Sequence, residues 1–289
     1  MRYYRRNRYA CPVAGLRMKF SLATWNINSV RSRLKLAERF VETYRPDILC
    51  LQETKCANEN FPLKAFHAMG FEHVELNGQK AYHGVATLSR IPIERADCFD
   101  FNGTGEARHL SVRLMPESGG GAFLHNFYVP AGGDIPDERA NPKFAQKLAY
   151  LREMARWCRE HPELAQGRSI LVGDLNVAPM ENDVWSHKQL LKVVSHTPVE
   201  VEHMEELRGA HGWVDIMREH IPPEEKLFTW WSYRARDWRA SNRGRRLDHV
   251  WVSPGLKSAA LSLKVVDEAR DWEKPSDHAP VLAEFSIPG

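Results

Sequence analysis

The residues best suited to chemistry in this sequence are Asp277 and His278, which stand side by side between two prolines. The alternating apolar run from Val281 to Phe285 follows them, so the pair precedes a predicted strand. A histidine held next to a carboxylate is suited to acid–base work near neutral pH. The preceding Ser276 does not complete a serine-hydrolase triad, because adjacent residues of one turn cannot form that geometry and the chain has no Gly-x-Ser-x-Gly motif.

Other polar residues stand where buried apolar runs end. The runs 20–25, 47–51 and 169–172 lead into Asn26, into Gln52-Glu53 and into Gly173-Asp174-Leu175-Asn176. In layered α/β proteins, ligand sites form beyond the ends of strands, where loops meet on a rigid base. We therefore expect these amide and carboxylate side chains to share one oxygen-rich site.

Carboxylate and amide oxygens are the ligands that a hard cation such as Mg²⁺ prefers, and such a cation also keeps several waters. Taken alone, each of these residues is more often a helix cap or a solvated turn residue. One histidine among thirteen is likewise more often a surface or core residue. Only the combination predicts a metal-assisted catalytic site.

The elements that must position these residues alternate between amphipathic helices and short apolar strands. One helical face is predicted from Val30 to Tyr44, where apolar residues recur every three or four positions, and Pro46 ends it. A second helix is predicted to begin at Asn141-Pro142, an N-cap followed by proline, and an apolar stripe at helical spacing continues from there.

At least eight strands with helices between some of them predict an α/β layered fold. Residues 109–115 and 122–129 are joined by a glycine-rich stretch, which predicts a hairpin and therefore mixed sheets. No Gly-, Ser- or Pro-rich linker divides the chain, so we expect one domain over residues 18–289. Residues 1–17 carry five arginines and three tyrosines without an apolar face. They are predicted to be a disordered extension, and the alternative is a basic arm that contacts nucleic acid.

Composition excludes several classes of protein. The 289 residues are 43% hydrophobic and 27% charged, which is ordinary for a globular protein, and a net charge of +3 decides nothing by itself. No stretch approaches the roughly 18 apolar residues that cross a bilayer, and no apolar h-region follows the basic N-terminus, so neither membrane insertion nor secretion is expected. Five cysteines without C-x-x-C spacing indicate neither a zinc site nor a disulfide framework, and they favour the cytoplasm.

Six short segments together resemble the exonuclease III and abasic-site endonuclease family, part of the endonuclease/exonuclease/phosphatase superfamily. In order along the chain they are Trp25–Ser29, Leu51–Lys55, Tyr128–Pro130, Gly173–Asn176, Arg246–Asp248 and Ser276–Pro280. One such segment is weak support, but six in family order span nearly the whole chain. The resemblance implies a deoxyribonuclease I-like fold, a four-layer sandwich of two mixed β-sheets flanked by helices.

The resemblance also implies a role for each matching residue. Glu53 is expected to be the principal Mg²⁺ ligand, with Mn²⁺ as a substitute ion. His278 is expected to contact the scissile phosphate while Asp248 orients it, and Asp174 to take the proton of the attacking water. The expected metal-binding set is Asn26, Glu53, Asp174, Asn176, Asp277 and His278, and the expected catalytic set is Tyr128, Asp174, Asn176, Asp248 and His278. The same carboxylates fit one metal ion or two.

These implied roles suit phosphodiester hydrolysis, which builds negative charge on the phosphoryl oxygens and on the leaving 3′ oxygen. A cation, an imidazolium, the amide of Asn176 and the phenol of Tyr128 would stabilise that charge where it develops. The like charges of Glu53 and Asp277 near Asp174 would help to raise the pKa of Asp174, which would let it accept a proton from water.

The choice of substrate rests on residues 230–246, because enzymes of this superfamily share catalytic residues but act on different substrates. This segment interleaves six arginines and four aromatic residues with a single acid. Arginines neutralise phosphates, and aromatic faces stack on exposed bases or on a sugar that lacks its base. The alternative is that the tryptophans are core residues and the arginines a solvated face. The residues expected to contact DNA are Asn28, Arg31, Lys55, Trp230, Trp231, Arg234, Arg245 and Leu247.

Two positions depart from the family pattern. Arg245 stands where some members carry an aromatic residue in the wall of the pocket that accepts an abasic deoxyribose. Ala131 stands where many relatives have an amide, and backbone N–H groups of residues 131–133 are the expected replacement.

The leading hypothesis is a monomeric DNA repair nuclease acting on duplex DNA at abasic sites or 3′ ends. Its expected activities are incision 5′ to an abasic site, 3′→5′ exonuclease, and 3′-phosphatase or phosphodiesterase. One alternative is a superfamily phosphatase or phospholipase acting on a phospholipid or an inositol phosphate, and the arginine-rich segment counts against it. Another is a catalytically inactive DNA-binding relative, which would lack some of the catalytic residues, but none is missing.

Overall fold

Two six-stranded sheets and a two-stranded ribbon form the framework of residues 17–115, 121–163, 167–235 and 237–288, which the computed structural model describes. The strands are β1 (Arg17–Asn26), β2 (Ile48–Gln52), β3 (His73–Asn77), β4 (Val85–Ser89), β5 (Ile93–Asp97), β6 (His109–Leu114), β7 (Phe123–Tyr128), β8 (Ser169–Asp174), β9 (Val214–Asp215), β10 (Trp230–Trp231), β11 (Gly244–Arg245), β12 (Asp248–Val252), β13 (Ala260–Val265) and β14 (Val281–Pro288). The helices are α1 (Leu34–Tyr44), α2 (Leu63–Ala68), α3 (Pro142–Glu160), α4 (His187–Leu190), α5 (Pro198–His211), α6 (Ile216–His220) and α7 (Trp238–Ser241). Among these described helices, none is both long enough and apolar enough to span a membrane.

Both large sheets are mixed. The first has the strand order β13-β14-β1-β2-β4-β3, and the second has the order β5-β6-β7-β8-β12-β9. The pairs β1/β2 and β7/β8 are parallel, and the other pairs within the two sheets are antiparallel. The ribbon pairs β10 with β11.

The two sheets pack face to face through their apolar side chains. Leu22 and Cys50 from the first sheet share one buried cluster with Val112, Val172 and Val250 from the second. Successive side chains along a strand point to opposite faces of the sheet, so the outer face of each sheet must be covered by other elements.

Helices cover the outer faces of both sheets. Phe40 of α1 packs in one cluster with Leu49 of β2, on the outer face of the first sheet. Leu151 of α3 and Leu207 of α5 pack with Leu171 of β8, on the outer face of the second sheet. The order of layers is helix, sheet, sheet, helix, which confirms the predicted four-layer fold.

Strand register brings the polar ends of the first sheet together. Asn26, the last residue of β1, pairs with Gln52, the last residue of β2, because these strands are parallel. β14 runs antiparallel to β1, and its first residue Val281 pairs with Thr24. The residues just before β14 therefore lie beside the ends of β1 and β2.

The second sheet presents its polar residues at the same edge of the fold. Tyr128 and Asp174 pair at the ends of the parallel strands β7 and β8. Asp248, at the start of β12, pairs with Asp174 because β12 runs antiparallel to β8. Six strand ends therefore meet at one place, and three of them are the ends that were predicted from the sequence to share one site.

Two predicted boundaries need correction. The first helix begins at Leu34 rather than at Val30, because residues 30–33 form turns and the N-cap Arg33 has a φ of −121° and a ψ of 25°, outside the helical region. The first strand begins at Arg17, the last residue of the segment 1–17 that was predicted to be disordered, and residues 1–16 lie outside the described part of the chain.

Other element predictions are confirmed. The side chain of Asn141 accepts a hydrogen bond from the backbone N–H of Lys143, so it is the N-cap of α3. β6 and β7 pair antiparallel as a hairpin requires. The turn predicted between them falls in residues 116–120, which lie outside the described residues.

His125 on β7 is a neutral histidine in the core of the second sheet. Its ring lies 5.2 Å from that of Trp157 and 6.0 Å from that of His109, centroid to centroid. Neither ring nitrogen has a hydrogen-bond partner among the described residues. Burial, with a smaller contribution from the nearby His211, lowers the pKa of His125 to about 3.

Acid should therefore weaken the fold through His125. A histidine with a lowered folded-state pKa contributes its full stability above its ordinary value of about 6.5, and that contribution is lost as the pH falls towards 3. His125→Phe removes the titration while keeping an aromatic ring. Between pH 7 and pH 5, we expect the free energy of unfolding of the parent to fall by about 2 kcal/mol relative to that of the variant. Urea unfolding at both pH values measures this, with the exposed His220→Phe as control, and an equal change in both variants would contradict it.

Candidate active site

A cleft of ≈ 620 Å³ opens at the edge where the six strand ends meet. The polar residues that line it are Glu53, Asp174, Asn176, Asp277 and His278, all predicted from the sequence. Aromatic, aliphatic and arginine side chains, which are described below, line the rest of the cleft.

His278 is held by contacts that leave one ring nitrogen facing the site. Its Nδ1 lies 2.8 Å from Asp248 Oδ2, and Thr229 Oγ1 donates to the same carboxylate oxygen at 2.6 Å. The indole N–H of Trp25 donates to the backbone carbonyl of His278 at 3.0 Å. The opposite nitrogen, Nε2, lies 3.7 Å from Asp174 Oδ2. Asp248 therefore holds the imidazole in one orientation in this structure.

The charges of these three groups are coupled. Burial alone would lower the pKa of His278, but the carboxylates of Asp248 and Asp174 outweigh it and raise the pKa to about 10. Burial raises the pKa of Asp174 to about 7, with the Asp248 carboxylate adding to the rise and His278 opposing it. At neutral pH the site thus combines an imidazolium with a carboxyl group poised to gain or lose a proton.

Asn26 bridges the two carboxylates at the centre of the site. Its Nδ2 donates to Glu53 Oε1 at 3.0 Å and to Asp174 Oδ2 at 2.9 Å, while its Oδ1 accepts from the backbone N–H of Asn28. In this arrangement the amide nitrogen, not the oxygen, faces both carboxylates. Asn26 thereby fixes the separation of the two acids.

Glu53 is the best-neutralised acid of the site. Tyr128 donates its hydroxyl to Glu53 Oε1 at 2.8 Å, and the ammonium of Lys55 lies 2.7 Å from Oε2. Burial works against the charge, but Lys55 and the hydrogen bonds from Asn26, Lys55 and Tyr128 outweigh it and keep the pKa of Glu53 below its ordinary value. Burial and the Glu53 charge raise the pKa of Tyr128 well above its usual value, so this phenol stays a donor.

Asp277 faces the same cleft from the other side. Asn28 Nδ2 donates to its Oδ1 at 3.1 Å, and the indole of Trp230 donates to its Oδ2 at 3.0 Å. Burial would raise its pKa, but His278 and these hydrogen bonds lower it. Asp277 is therefore an ionised carboxylate beside the imidazolium.

Asn176 turns into the site because its backbone has a φ of 55°, a left-handed conformation that asparagine tolerates. Its backbone N–H donates to Asp174 Oδ1 at 3.0 Å, and its Nδ2 donates to the carbonyl of Val129 at 2.9 Å. The carbonyl of Asn176 accepts from the fully buried ammonium of Lys147 at 2.7 Å. Lys147 also forms an ion pair with the buried carboxylate of Glu200.

Two of these supporting residues were missed in the sequence. Thr229 directly precedes Trp230 but carries no distinctive motif. Lys147 interrupts the apolar face of α3 three residues after Phe144, which marks it as a buried cation in need of a partner. Both residues act through others, Thr229 by orienting Asp248 and Lys147 by holding the loop of Asn176.

The donor set fits a hard divalent cation. Among the described residues, Asp174, Asp248 and His278 have ligand atoms within 4.8 Å of one another. Asp248 Oδ2 is engaged by His278 and Thr229, whereas its Oδ1 is buried without a hydrogen-bond partner among the described residues. Glu53 already accepts the ammonium of Lys55, which shows that this carboxylate accommodates positive charge. The cleft offers carboxylate and amide oxygens without a thiolate, the set that suits Mg²⁺ or Mn²⁺.

Most of the residues predicted to contact DNA lie around this cleft. Trp230, Arg234, Arg245 and Leu247 line it, and Asn28 and Lys55 belong to the hydrogen-bond network just described. Of the two departures from the family pattern, Arg245 has its guanidinium over the Trp230 ring at 5.2 Å. Ala131 is exposed and lines the cleft.

Two predicted DNA contacts lie away from the cleft. Trp231 is 5% exposed, packs against Phe228 and Trp238, and donates its indole N–H to Asn242 Oδ1 at 3.2 Å, which indicates a structural role. Arg31 is exposed in a separate groove of ≈ 520 Å³. That groove is also lined by Arg33, Lys35, Arg39, Trp272 and Lys274.

Comparison with known proteins identifies the group to which this fold and site belong. The sequence profile of the Endonuclease/Exonuclease/phosphatase family matches residues 23–278. Exodeoxyribonuclease III of Haemophilus influenzae is 32% identical over 278 residues, which cover 93% of this chain and 100% of that protein.

Solved structures agree with this match. An AP endonuclease from Archaeoglobus fulgidus superposes with a TM-score of 0.82 at 31% identity, covering 92% of this chain and 99% of the other. The 3′ phosphatase NExo from Neisseria, solved with a product DNA hairpin, superposes with a TM-score of 0.81 at 30% identity over the same shares. The chain therefore belongs to the endonuclease/exonuclease/phosphatase family, in the group of exodeoxyribonuclease III and the AP endonucleases.

Proposed function

We propose that this protein is a DNA repair nuclease of the exodeoxyribonuclease III type, which hydrolyses phosphodiester bonds in duplex DNA with a divalent metal ion. Its activities are incision 5′ to abasic sites, 3′→5′ exonuclease, and 3′-phosphatase or phosphodiesterase. The observation that supports the proposal is the chain of close contacts Glu53–Asn26–Asp174–His278–Asp248, an arrangement that suits a metal-ligand carboxylate, a proton acceptor and an oriented imidazolium.

The chain's own residues have distinct tasks in this reaction. Asp174 accepts the proton of the attacking water, because its raised pKa makes it a stronger base than an ordinary carboxylate. The imidazolium of His278 stabilises the negative charge that grows on the phosphoryl oxygens. The Tyr128 hydroxyl and the Asn176 amide act as further donors to that charge.

Glu53 would hold Mg²⁺, or Mn²⁺ in its place, with Asn26, Asp174, Asn176, Asp277 and His278 around it. When bound, the ion supplies positive charge at the phosphoryl and leaving 3′ oxygens.

The apolar and cationic end of the cleft favours DNA over a lipid or inositol phosphate. Arginines and tryptophans lie next to the catalytic acids, so a nucleic acid strand can contact both. We further propose that the enzyme works as a monomer, with one catalytic domain over residues 18–289. A cytoplasmic location is proposed from four described cysteines that are all free thiols.

A duplex with one tetrahydrofuran abasic analogue tests this function. We expect incision 5′ to the analogue with Mg²⁺ or Mn²⁺ and none with EDTA. Glu53→Ala should lower the rate by about 10²–10³-fold, because the metal ion that Glu53 would hold, and with it the positive charge that stabilises the phosphate, is then lost. Glu59→Ala, an exposed glutamate close in sequence, is the matched control. Absence of metal-dependent incision by the parent enzyme would contradict the proposal, and a blunt duplex in parallel ranks the exonuclease activity.

A further inference from the structure

One wall of the cleft is formed by the end of α4 and by residues 191–197, which we call the wall loop. The residues of this wall that line the cleft are Leu190, Val193, Val194 and Ser195. Arg245, which also lines the cleft, donates to the carbonyl of Val194 at 2.9 Å and to the hydroxyl of Ser195 at 2.8 Å. The position of the wall loop therefore helps to set the shape of the cleft.

The wall loop is fastened to the chain that leaves the catalytic residues. The backbone N–H of Ala178 donates to the carbonyl of Ser195 at 2.7 Å, and the carbonyl of Ala178 lies 2.6 Å from Nδ1 of His196. Ala178 follows Asn176, a polar residue of the cleft, by two positions. His196 is only 2% exposed, so its ring nitrogens need hydrogen-bond partners within the protein.

These contacts determine where the protons of two histidines lie. A carbonyl oxygen only accepts hydrogen bonds, so Nδ1 of His196 carries a proton and Nε2 of the neutral ring does not. Nε2 lies 2.8 Å from Nδ1 of His187, the first residue of α4. Nδ1 of His187 is therefore the donor. A chain of hydrogen bonds runs from His187 through His196 to the carbonyl of Ala178, and we call the two residues the histidine pair.

The histidine pair keeps its hydrogen bond when it takes up one proton and loses it when it takes up two. The first proton goes to Nε2 of the half-buried His187, and the resulting imidazolium still donates from Nδ1. A second proton has to go to Nε2 of His196. Two N–H groups and two positive charges then face each other, so the bond breaks.

The surroundings of His196 disfavour that second proton. Burial lowers the pKa of His196, the carbonyl of Ala178 opposes this effect, and the charge of a protonated His187 adds to it. The carboxylates of Asp183 and Glu200 raise the pKa, but the sum of these effects leaves it below its ordinary value of about 6.5. The hydrogen bond is therefore intact at neutral pH and is lost as the pH falls below that value.

We propose that His187 and His196 are positioning residues, whose hydrogen bond holds the wall loop in the shape that binds DNA. This role rests on the proposed function, because it concerns the same cleft. Neither histidine is among the residues that line the cleft, so the pair acts through the wall loop and not on the reacting atoms. Its loss should therefore weaken the binding of DNA, seen as a higher KM, and leave kcat nearly unchanged.

Two substitutions at His187 separate the hydrogen bond from the rest of the ring. His187→Ala removes the donor, whereas His187→Asn keeps an amide N–H in the place of Nδ1. With the tetrahydrofuran duplex at neutral pH, KM should rise about 3–10-fold in His187→Ala, the effect of one hydrogen bond. In His187→Asn it should stay within about twofold of the parent value, and kcat should change by less than about twofold in both variants. His220→Ala, which changes an exposed histidine on α6, is the matched control.

Acid gives a second readout that a merely structural histidine would not change. As the pH is lowered from about 7 to about 5, KM of the parent should rise relative to that of His187→Asn, because two charged rings then face each other. The amide of the variant is not protonated in this range and can turn its oxygen towards a protonated His196. Equal KM values for His187→Ala and His187→Asn, or a fall in kcat as large as the rise in KM, would overturn the proposal.

Nitrogen NMR of the imidazole rings tests the hydrogen bond apart from activity. In the enzyme without DNA at neutral pH, His196 should be protonated at Nδ1 alone, and His187 should carry a proton on Nδ1. A proton on Nε2 of His196 would contradict the arrangement. If the parent enzyme cuts no duplex, the proposed function has failed, and the NMR result still decides whether the histidine pair forms.

Discussion

Asparagine in place of Asp174 should lower kcat for incision by about 10³-fold while leaving the fold and DNA binding intact. The Asp174 carboxylate lies between the amide of Asn26, which donates to its Oδ2, and the ring of His278. An amide of the same shape keeps the hydrogen bond from the backbone N–H of Asn176 but cannot accept a proton from water. The amide relieves the cost of burying a charge but no longer accepts the hydrogen bond from Asn26 Nδ2, so these two effects on stability oppose each other.

Single-turnover incision of the tetrahydrofuran duplex measures the chemical step, and binding to the same duplex with Ca²⁺ measures affinity. Asp267→Asn, a surface aspartate, is the control for the substitution itself. An Asp174→Asn enzyme that cuts within tenfold of the parent would rule out Asp174 as the proton acceptor.

The pH dependence of the reaction gives a second readout of Asp174. A base must be deprotonated, so the parent rate should rise with pH through about 7, the pKa of Asp174. That limb should be absent in Asp174→Asn. It should persist in His278→Asn at a lower overall rate and at higher pH, because His278 lowers the pKa of Asp174. Loss of the same limb in both variants would mean that the two groups titrate as one coupled pair.

Asp248→Asn is expected to lower kcat by about 10³-fold, because His278 would lose its orientation and its charge. The Asp248 carboxylate is the largest cause that raises the pKa of His278 to about 10 against the effect of burial. Without it the pKa should fall, so the fraction of imidazolium at pH 8 should fall as well. Activity that depends on the His278 cation falls as the pH rises through the pKa of His278. This falling limb of the pH–rate profile should therefore move to lower pH in Asp248→Asn.

NMR titration of the His278 ring measures that shift directly, independent of turnover. Thr229→Val is the graded comparison and should cost less than Asp248→Asn. It removes the hydroxyl that donates to the Asp248 carboxylate at 2.6 Å and that accepts from the backbone N–H groups of Leu247 and Asp248. A His278 pKa that stays near 10 in Asp248→Asn would refute the assigned role of Asp248.

Much of the fold and most of the site could be predicted from the sequence. Polar residues that directly follow apolar runs, such as Asn26, Glu53 and Asp174, mark strand ends, and the mixed strand order brings such ends to one edge. The N-cap at Asn141 is a local signal that depends on neighbouring residues alone, so it too was readable. The helix start was misplaced at Val30 because an apolar residue in a buried loop continues a helical stripe without being helical.

The sequence by itself determined which residue types surround the cleft; only the tertiary structure decided which of two adjacent side chains enters it. Trp230 lines the cleft while Trp231 packs into the core, and Arg245 faces the cleft while Arg246 is buried with Asp183 and Asp215. Extended backbone sends successive side chains to opposite faces, so the sequence establishes that neighbours separate. Which face is buried depends on the helices and loops that pack against it, and those come from distant parts of the chain.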